Sequence, residues 1–250
     1  MQTTTICGLT KSGPMNIVLL RENDWINGNI VRLVDYRAHH LINVIKVEIN
    51  QTLRVGLING HRGSANVKHL GENMVELEVT LSEAPLPRHP VHLVLALPRP
   101  KMLRRVFRSV AEFGVAELHL IHSYRVEKSY WQSPYLDEDK IEMALIQGLE
   151  RAGDTVLPRV HQHKRFKPFV EDELPDISQD RSLLIAHPGA NQALPTDTTT
   201  PTTLLVGPEG GFIDYEVDLA QQAGATAVSL GSRILSVDTA VCAVLARELA

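Results

Sequence analysis

The sequence predicts an α/β chain: a small, mostly β unit, followed by a larger parallel sheet with helices over its faces. Three observations carry this expectation. Residues 15–87 show short alternating apolar runs separated by turn signals, the pattern of half-buried strands. Residues 83–90 then contain Pro85, Pro87 and Pro90, and proline stiffens such a stretch into an extended spacer at a domain boundary. Beyond it, short apolar runs alternate with stretches of helical period. Connections of that length join parallel strands rather than hairpins.

In chain order, residues 1–14 are polar and patternless and are expected to be a leader or disordered segment outside the fold. A first domain is expected over 15–84. Its strands fall at 17–20, 30–34, 52–58 and 74–81, with turns at Asn59-Gly60 and Gly71-Glu72-Asn73. Residues 39–47 have helical spacing at Leu41, Val44 and Ile45 and then a strand-like tail. This unit reads either as a packing or oligomerisation module or as a small RNA-binding barrel. A second domain is expected over 88–250, beginning with a buried strand at 91–97. A helix at 100–113 follows, with Leu103, Val106, Phe107, Val110 and Phe113 on one face and Gly114 closing it. Next come a strand at 118–121, a helix at 137–152, and strands at 183–186 and 204–206. A helix at 215–223 capped by Asp214, a strand at 227–230 and a C-terminal helix from about Thr239 complete the series. The threonine-rich stretch 196–203 reads as an exposed connector.

Bulk composition excludes several classes. With 44% hydrophobic and 22% charged residues the 250-residue chain is globular, and its apolar runs are too short to span a bilayer. It carries no secretory pattern, and Cys7 and Cys242 lie far apart, so a disulfide is not expected and a cytoplasmic location is. The net charge of −4 conceals an asymmetry, because residues 88–168 are basic in balance and 169–250 strongly acidic. The basic helix bearing Arg99, Lys101, Arg104, Arg105 and Arg108 fits a solvated outer face as well as a polyanion contact.

The stretch Leu204-Leu205-Val206-Gly207-Pro208-Glu209-Gly210-Gly211-Phe212 carries the clearest chemistry. An apolar strand ends in a loop where glycine lets the backbone approach a ligand and proline fixes the shape. Glu209 would repel phosphate, so the loop suits a neutral or cationic ligand with hydroxyls, such as a nucleoside. A second loop, Leu230-Gly231-Ser232-Arg233-Ile234-Leu235-Ser236-Val237-Asp238-Thr239-Ala240, also follows a strand and opens a helix. A third follows residue 186, at His187-Pro188-Gly189-Ala190. Parallel strands place their carboxyl ends on one edge, so the three loops should line one crevice. Ile234 and Leu235 would wall it against a flat apolar group, or simply pack the helix. No Walker lysine, G-x-G-x-x-G, G-x-S-x-G or H-E-x-x-H occurs. No metal site is expected, because the histidines at 39–40, 119/122 and 161/163 lack Cys or acidic partners at ligand spacing.

The two glycine loops together resemble the paired signature of the bacterial 16S rRNA (uracil-1498 N3)-methyltransferase family, a SPOUT-class group of S-adenosylmethionine enzymes. His40-Leu41-x-x-Val44-Ile45-Lys46, Leu97-Pro98 and Ala111-Glu112-Phe113-Gly114-Val115 are similar to further family patterns. The resemblance implies a PUA-like β-barrel for RNA, a SPOUT-type parallel sheet with a C-terminal trefoil knot, and a homodimer with the C-terminal helix packed across it. The implied partner is 16S rRNA in the small ribosomal subunit. It implies S-adenosylmethionine held by His187, Gly207, Pro208, Glu209, Gly210, Gly211, Leu230, Gly231, Ile234, Leu235, Thr239 and Ala240. The same resemblance makes Lys46, Arg99, Lys101, Arg104 and Arg125 candidates for RNA contact, and Arg233 the candidate for stabilising a uracil anion. Two positions depart from the family's L-R-x-E-T-A: Ser236 replaces the arginine and Asp238 the glutamate. The rival readings are a SPOUT methyltransferase with another RNA target, and a non-catalytic RNA-binding dimer.

Overall fold

A computed structural model describes residues 16–195 and 200–247. The expected leader, Cys7 and residues 196–199 of the threonine-rich connector lie outside the described residues, and the connector's last two residues, Thr202 and Thr203, are buried in a strand rather than exposed. The chain divides into two compact units, one comprising Met1–Leu86 with Leu149–Val156 and the other Pro87–Gly148 with Leu157–Ala250.

The first unit is built on six strands: β1 (Val18–Leu20), β2 (Trp25–Asn27), β3 (Ile30–Leu33), β4 (Thr52–Leu57), β5 (Arg62–Leu70) and β6 (Val75–Glu83). They form one sheet in the order β1-β4-β5-β6-β3-β2, antiparallel except where β1 pairs with β4. Alternation puts Val55, Ala65, Val67, Val75, Leu77 and Val79 on one buried face. Helix α1 (Tyr36–His39) runs directly into a π-helical turn, His40–Ile45, and adds Ala38 and Leu41 to that core. The strand-like tail expected after Ile45 does not form. Lys46 takes a left-handed φ of 58°, which ends the helix and turns the chain. Strands β2 and β5 were not expected, since Gly63, Ser64 and Asn66 dilute the apolar alternation that marks a strand.

A buried cation knits this unit. Arg37 is 3% exposed and donates to Asp24 Oδ2 and Oδ1 at 2.6 and 2.8 Å, to Asp35 Oδ2 at 2.8 Å and to the Leu19 carbonyl at 2.7 Å. Removing one partner of such a pair costs roughly 3–5 kcal/mol, because the other is left charged and dry. The segment Leu149–Val156 is tied in by Asn16 N–H to Glu150 O at 2.8 Å and by Thr155 Oγ1 to Gly60 O at 2.7 Å. Glu150 is itself buried and accepts a hydrogen bond from Tyr36 OH at 3.0 Å. Burial pushes its carboxyl up to about 7.

The second unit holds a seven-stranded sheet in which every pairing is parallel, as the long connections predict. Its strands are β7 (His89–Ala96), β8 (Val115–Ile121), β9 (Arg159–His163), β10 (Ser182–Ala186), β11 (Gln192–Ala193), β12 (Thr202–Val206) and β13 (Thr226–Ser229). Their order is β11-β13-β10-β12-β7-β8-β9. Helix α2 (Pro100–Glu112) buries Leu103, Val106, Phe107 and Val110, the face read from the sequence. Helix α3 (Glu138–Ala152) lends its last turn to the first unit. Helices α4 (Phe166–Pro168) and α5 (Leu174–Ile177) flank a π-helical turn that buries Phe169 and Val170. Helix α6 (Asp214–Gln222) starts after Ile213, so Asp214 is its first residue rather than its cap. Its capping group is Glu216, whose Oε2 folds back to accept the Ile213 N–H at 3.0 Å. Helix α7 (Val237–Arg247) begins two residues earlier than expected, because the Ser236 carbonyl already accepts from Ala240 N–H. Among the described residues no helix is long and apolar enough to cross a membrane.

Sequence spacing hid one neighbourhood. Glu117 precedes His119 by two residues on β8, so both face the same side, and β9 sets His161 beside His119. The acidic partner that the histidines lack in sequence is present in the fold.

The buried Glu150 yields a pH test. Its carboxyl titrates near 4.5 when exposed and near 7 in the fold, so its favourable contribution is complete below pH 4.5 and is lost as pH rises through 7. Glu150→Gln should match the parent in urea unfolding at pH 4.5 and exceed it at pH 8, by on the order of 3 kcal/mol. An equal difference at both pH values would contradict this.

Candidate functional site

The parallel register aligns three strand ends. Leu184 pairs with Leu204 and Thr226, and Ile185 with Leu205 and Ala227, so β10, β12 and β13 finish side by side. The loops leaving them line a single open cleft with about 620 Å³ of free space, counting what is open to solvent. Its walls are Ala186, His187 and Pro188 from the first loop and Val206, Gly207, Pro208, Glu209 and Gly211 from the second. Leu230, Gly231, Arg233, Ile234 and Leu235 come from the third, with Ala240 from α7.

Each loop is shaped by its own hydrogen bonds. His187 N–H donates to Val228 O at 2.9 Å, and the Ala190 N–H returns to His187 O at 3.1 Å. Gly211 N–H closes a tight turn on Pro208 O at 2.8 Å, with Gly211 at a φ of +73°. Gly231 has a φ of +121°, a conformation open only to glycine, and its N–H donates to Ser229 Oγ at 3.2 Å. The polar wall is therefore mostly backbone, and the apolar wall is Leu230, Leu235 and Ala240.

Two carboxylates pin the glycine loop. Glu209 Oε1 accepts the Arg99 N–H at 3.0 Å, immediately before the positive end of α2. Glu216, 3% exposed, accepts from Ile213 N–H at 3.0 Å through one oxygen and from Tyr124 N–H at 2.7 Å through the other. Arg125 lies over the same loop, with Nη1 donating to Gly210 O. A side chain at Gly210 would bring its Cβ within 2.9 Å of Arg125 Cδ.

Of the residues named from the sequence, His187, Gly207, Pro208, Glu209, Gly211, Leu230, Gly231, Ile234, Leu235 and Ala240 line the cleft, as does Arg233. Gly210 and Thr239 do not. Gly210 turns its carbonyl to Arg125, and the Thr239 hydroxyl lies 2.8 Å from Ser236 Oγ. Ile234 is 91% exposed, a rim residue rather than a packed wall. The basic candidates are dispersed. Arg99, Lys101 and Arg125 are exposed around the start of α2 and the glycine loop. Arg104 lines a separate recess with Phe107, Tyr135, Lys140, Met143 and Gln147, donating to Gln147 Oε1 at 3.2 Å. Lys46 belongs to the first unit, where it is exposed at the end of the π-helical turn. Sequence reasoning missed Glu216, whose signal was a glutamate at the third position of α6. It also missed the bond from Glu209 to α2, which joins residues 110 apart and leaves no local pattern.

The Ser236 position has a local explanation. Its Oγ donates to Asp238 Oδ1 at 2.6 Å, and that hydrogen bond holds the Asp238 carboxyl below the usual range. Asp238 Oδ2 also meets Arg105 Nη1 at 3.5 Å.

Comparison with known proteins agrees in one direction. Residues 84–248 match the family profile described as RNA methyltransferase domain. The chain is 31% identical to ribosomal RNA small subunit methyltransferase E of Treponema pallidum, over 94% of this chain and 91% of the relative. It is 23% identical to ribosomal RNA small subunit methyltransferase E 1 of Borreliella burgdorferi, over 92% and 95%. In fold it is similar to ribosomal RNA small subunit methyltransferase E of Neisseria gonorrhoeae, solved bound to S-adenosyl methionine. That match has a TM-score of 0.73, 22% identity, and coverage of 93% of this chain and 95% of the other.

Gly231→Ala should destabilise the third loop by about 1–3 kcal/mol, because alanine cannot hold that backbone without strain. Gly210→Ala should displace Arg125 and speed amide hydrogen exchange across residues 207–212. Unchanged exchange there would show that Arg125 does not brace the loop.

Proposed function

The chain belongs to the RNA methyltransferase domain family, and from that premise we propose that it transfers the methyl group of S-adenosylmethionine to 16S ribosomal RNA, at N3 of uridine 1498 in the small subunit. One observation carries the proposal: the three strand-end loops converge on one cleft whose polar wall is backbone and whose other wall is apolar. Such a lining fits a nucleoside rather than a phosphate. Glu209 adds a carboxylate suited to a ligand that carries positive charge. The methyl donor belongs there, with its adenine against Leu230, Leu235 and Ala240 and its ribose and methionine beside Gly207–Gly211. When bound it supplies an electrophilic sulfonium methyl group, so the protein's task is alignment.

The acceptor nitrogen must lose its proton, and negative charge then spreads over the uracil. Arg233 is the group suited to stabilise it. It is exposed at the cleft, and no hydrogen bond or ion pair engages it among the described residues. Because N3 is occupied in Watson–Crick pairing, the target uridine must be unpaired or turned out. Arg99, Lys101 and Arg125 at the edge of the glycine loop, and Lys46 on the first unit, are suited to ribosomal RNA phosphates. The first unit serves as the PUA-like RNA module and the second as a SPOUT domain with a trefoil knot, active as a cytoplasmic homodimer.

A second reading keeps the chemistry and changes the target. It is favoured by Ser236, which is committed to Asp238 and Thr239 and offers no cation where the family has an arginine. Mass spectrometry of 16S rRNA fragments, after unmodified small subunits are incubated with protein and donor, separates the two readings. A single new methyl group on the uridine supports the first. Methylation found only on another RNA would move the target, and no methylation of any RNA would sink the enzyme reading.

Arg233→Ala should lower kcat by about 10²–10³, the usual cost of removing one transition-state charge partner. Its calorimetric Kd for S-adenosylmethionine should stay within a few fold of the parent. An equal loss in both would assign Arg233 to donor binding instead.

A further inference from the structure

Away from the cleft, at the opposite side of the same sheet, Glu117, His119 and His161 converge on β8 and its edge neighbour β9. Their ligand atoms all lie within 4.8 Å of one another. Glu117 Oε2 is 3.3 Å from His119 Nε2 and 3.9 Å from His161 Nε2. The other carboxylate oxygen, Oε1, takes Arg159 Nη2 at 2.6 Å. The two imidazoles stack at 4.6 Å, since the parallel register sets His119 and His161 side by side.

The hydrogen-bond chain behind His119 fixes where its proton sits. Glu173 Oε2 lies 2.9 Å from His163 Nδ1, and a carboxylate can only accept, so His163 donates from Nδ1. The neutral His163 then has a bare Nε2, which faces His119 Nδ1 at 3.1 Å and accepts a hydrogen bond from its N–H. His119 in turn is left with its lone pair on Nε2, aimed at the carboxylate oxygen of Glu117. Two lone pairs at 3.3 Å repel unless a cation lies between them. The His161 Nε2 atom is buried and has no hydrogen-bond partner, although it faces the same oxygen.

We propose that Glu117, His119 and His161 bind a divalent metal ion of the zinc class, with Glu173 and His163 orienting His119 from behind. Two imidazole nitrogens and one carboxylate oxygen are a borderline donor set, and three protein ligands leave a position for water. The Glu173–His163–His119 chain has the form of the carboxylate-to-histidine contacts that orient metal ligands elsewhere. His161 is half-exposed at the sheet edge, which gives an ion an entry path. The ion would pin the edge strand β9 to β8 and has no part in methyl transfer, so the inference stands independently of the cleft's function.

The test uses full-length, tag-free protein, stripped with chelator and titrated with Zn²⁺ against a chromophoric competitor, alongside His161→Ala and Glu173→Gln. The parent should bind one equivalent and gain thermal stability, and its Co²⁺ form should show the visible bands of tetrahedral coordination. His161→Ala, at a half-exposed position, should remain folded and lose at least tenfold in affinity together with those bands. Glu173→Gln, which touches no metal, should weaken binding by about 10–100-fold through the orientation of His119. Absence of stoichiometric binding by the parent would overturn the proposal, leaving a proton shared between His119 and Glu117. So would equal affinity in the parent and His161→Ala, which would place the metal on other histidines.

Discussion

The parallel pairing of β10 with both β12 and β13 is the constraint on which the cleft depends. In a parallel ladder, strands enter from one end and leave from the other, so three loops from distant parts of the chain share one edge. No residue of the cleft need be near another in sequence. The chemistry then follows from what each loop can expose. Glycine at 207, 211 and 231 brings peptide groups to the surface, and Leu230 and Leu235 supply a dry wall beside them.

Alignment of strand ends would be of little use if the loops were slack. Carboxylates at helix starts supply the rigidity. Glu209 bridges the glycine loop to the residue before α2, and the buried Glu216 holds Ile213 and Tyr124 by their N–H groups. Hydrogen bonds to a charged acceptor contribute about 1.5–3 kcal/mol each, and more is lost if a buried carboxylate is left without its donors. The same device recurs in the first unit, where Asp24 and Asp35 bracket the buried Arg37. Each unit thus contains a desolvated charge held by complete pairing, Arg37 with Asp24 in the first and Glu216 in the second, while Asp35 and Glu209 add partners from more exposed positions.

Most of the second unit was legible in the sequence, because a parallel sheet demands continuous apolar strands and long helical crossovers, and both leave periodic traces. The loops of the cleft were legible for the related reason that glycine and proline mark places where backbone geometry is special. What escaped was whatever depended on registration between strands or on groups far apart in sequence. Strand β9, with its alternating histidines, carries no apolar run, and its partnership with Glu117 exists only once β8 and β9 pair. Strand β5 was hidden by Ser64 and Asn66 on its exposed face and by Gly63, which leaves a gap in the apolar run on the other. Asp214 looked like a cap because acidic residues favour helix starts, but the helix already includes it, and Glu216 reaches back instead to the N–H of Ile213, the residue before the helix.

A crystal structure of the protein with S-adenosylhomocysteine tests the central claim most directly. The adenine should lie against Leu230, Leu235 and Ala240 and the ribose beside Gly207–Gly211, with the His187, Gly207 and Gly231 loops all in contact with one molecule. Ligand seated instead in the recess of Arg104, Tyr135 and Lys140 would contradict it, and so would a ligand touching only one of the three loops.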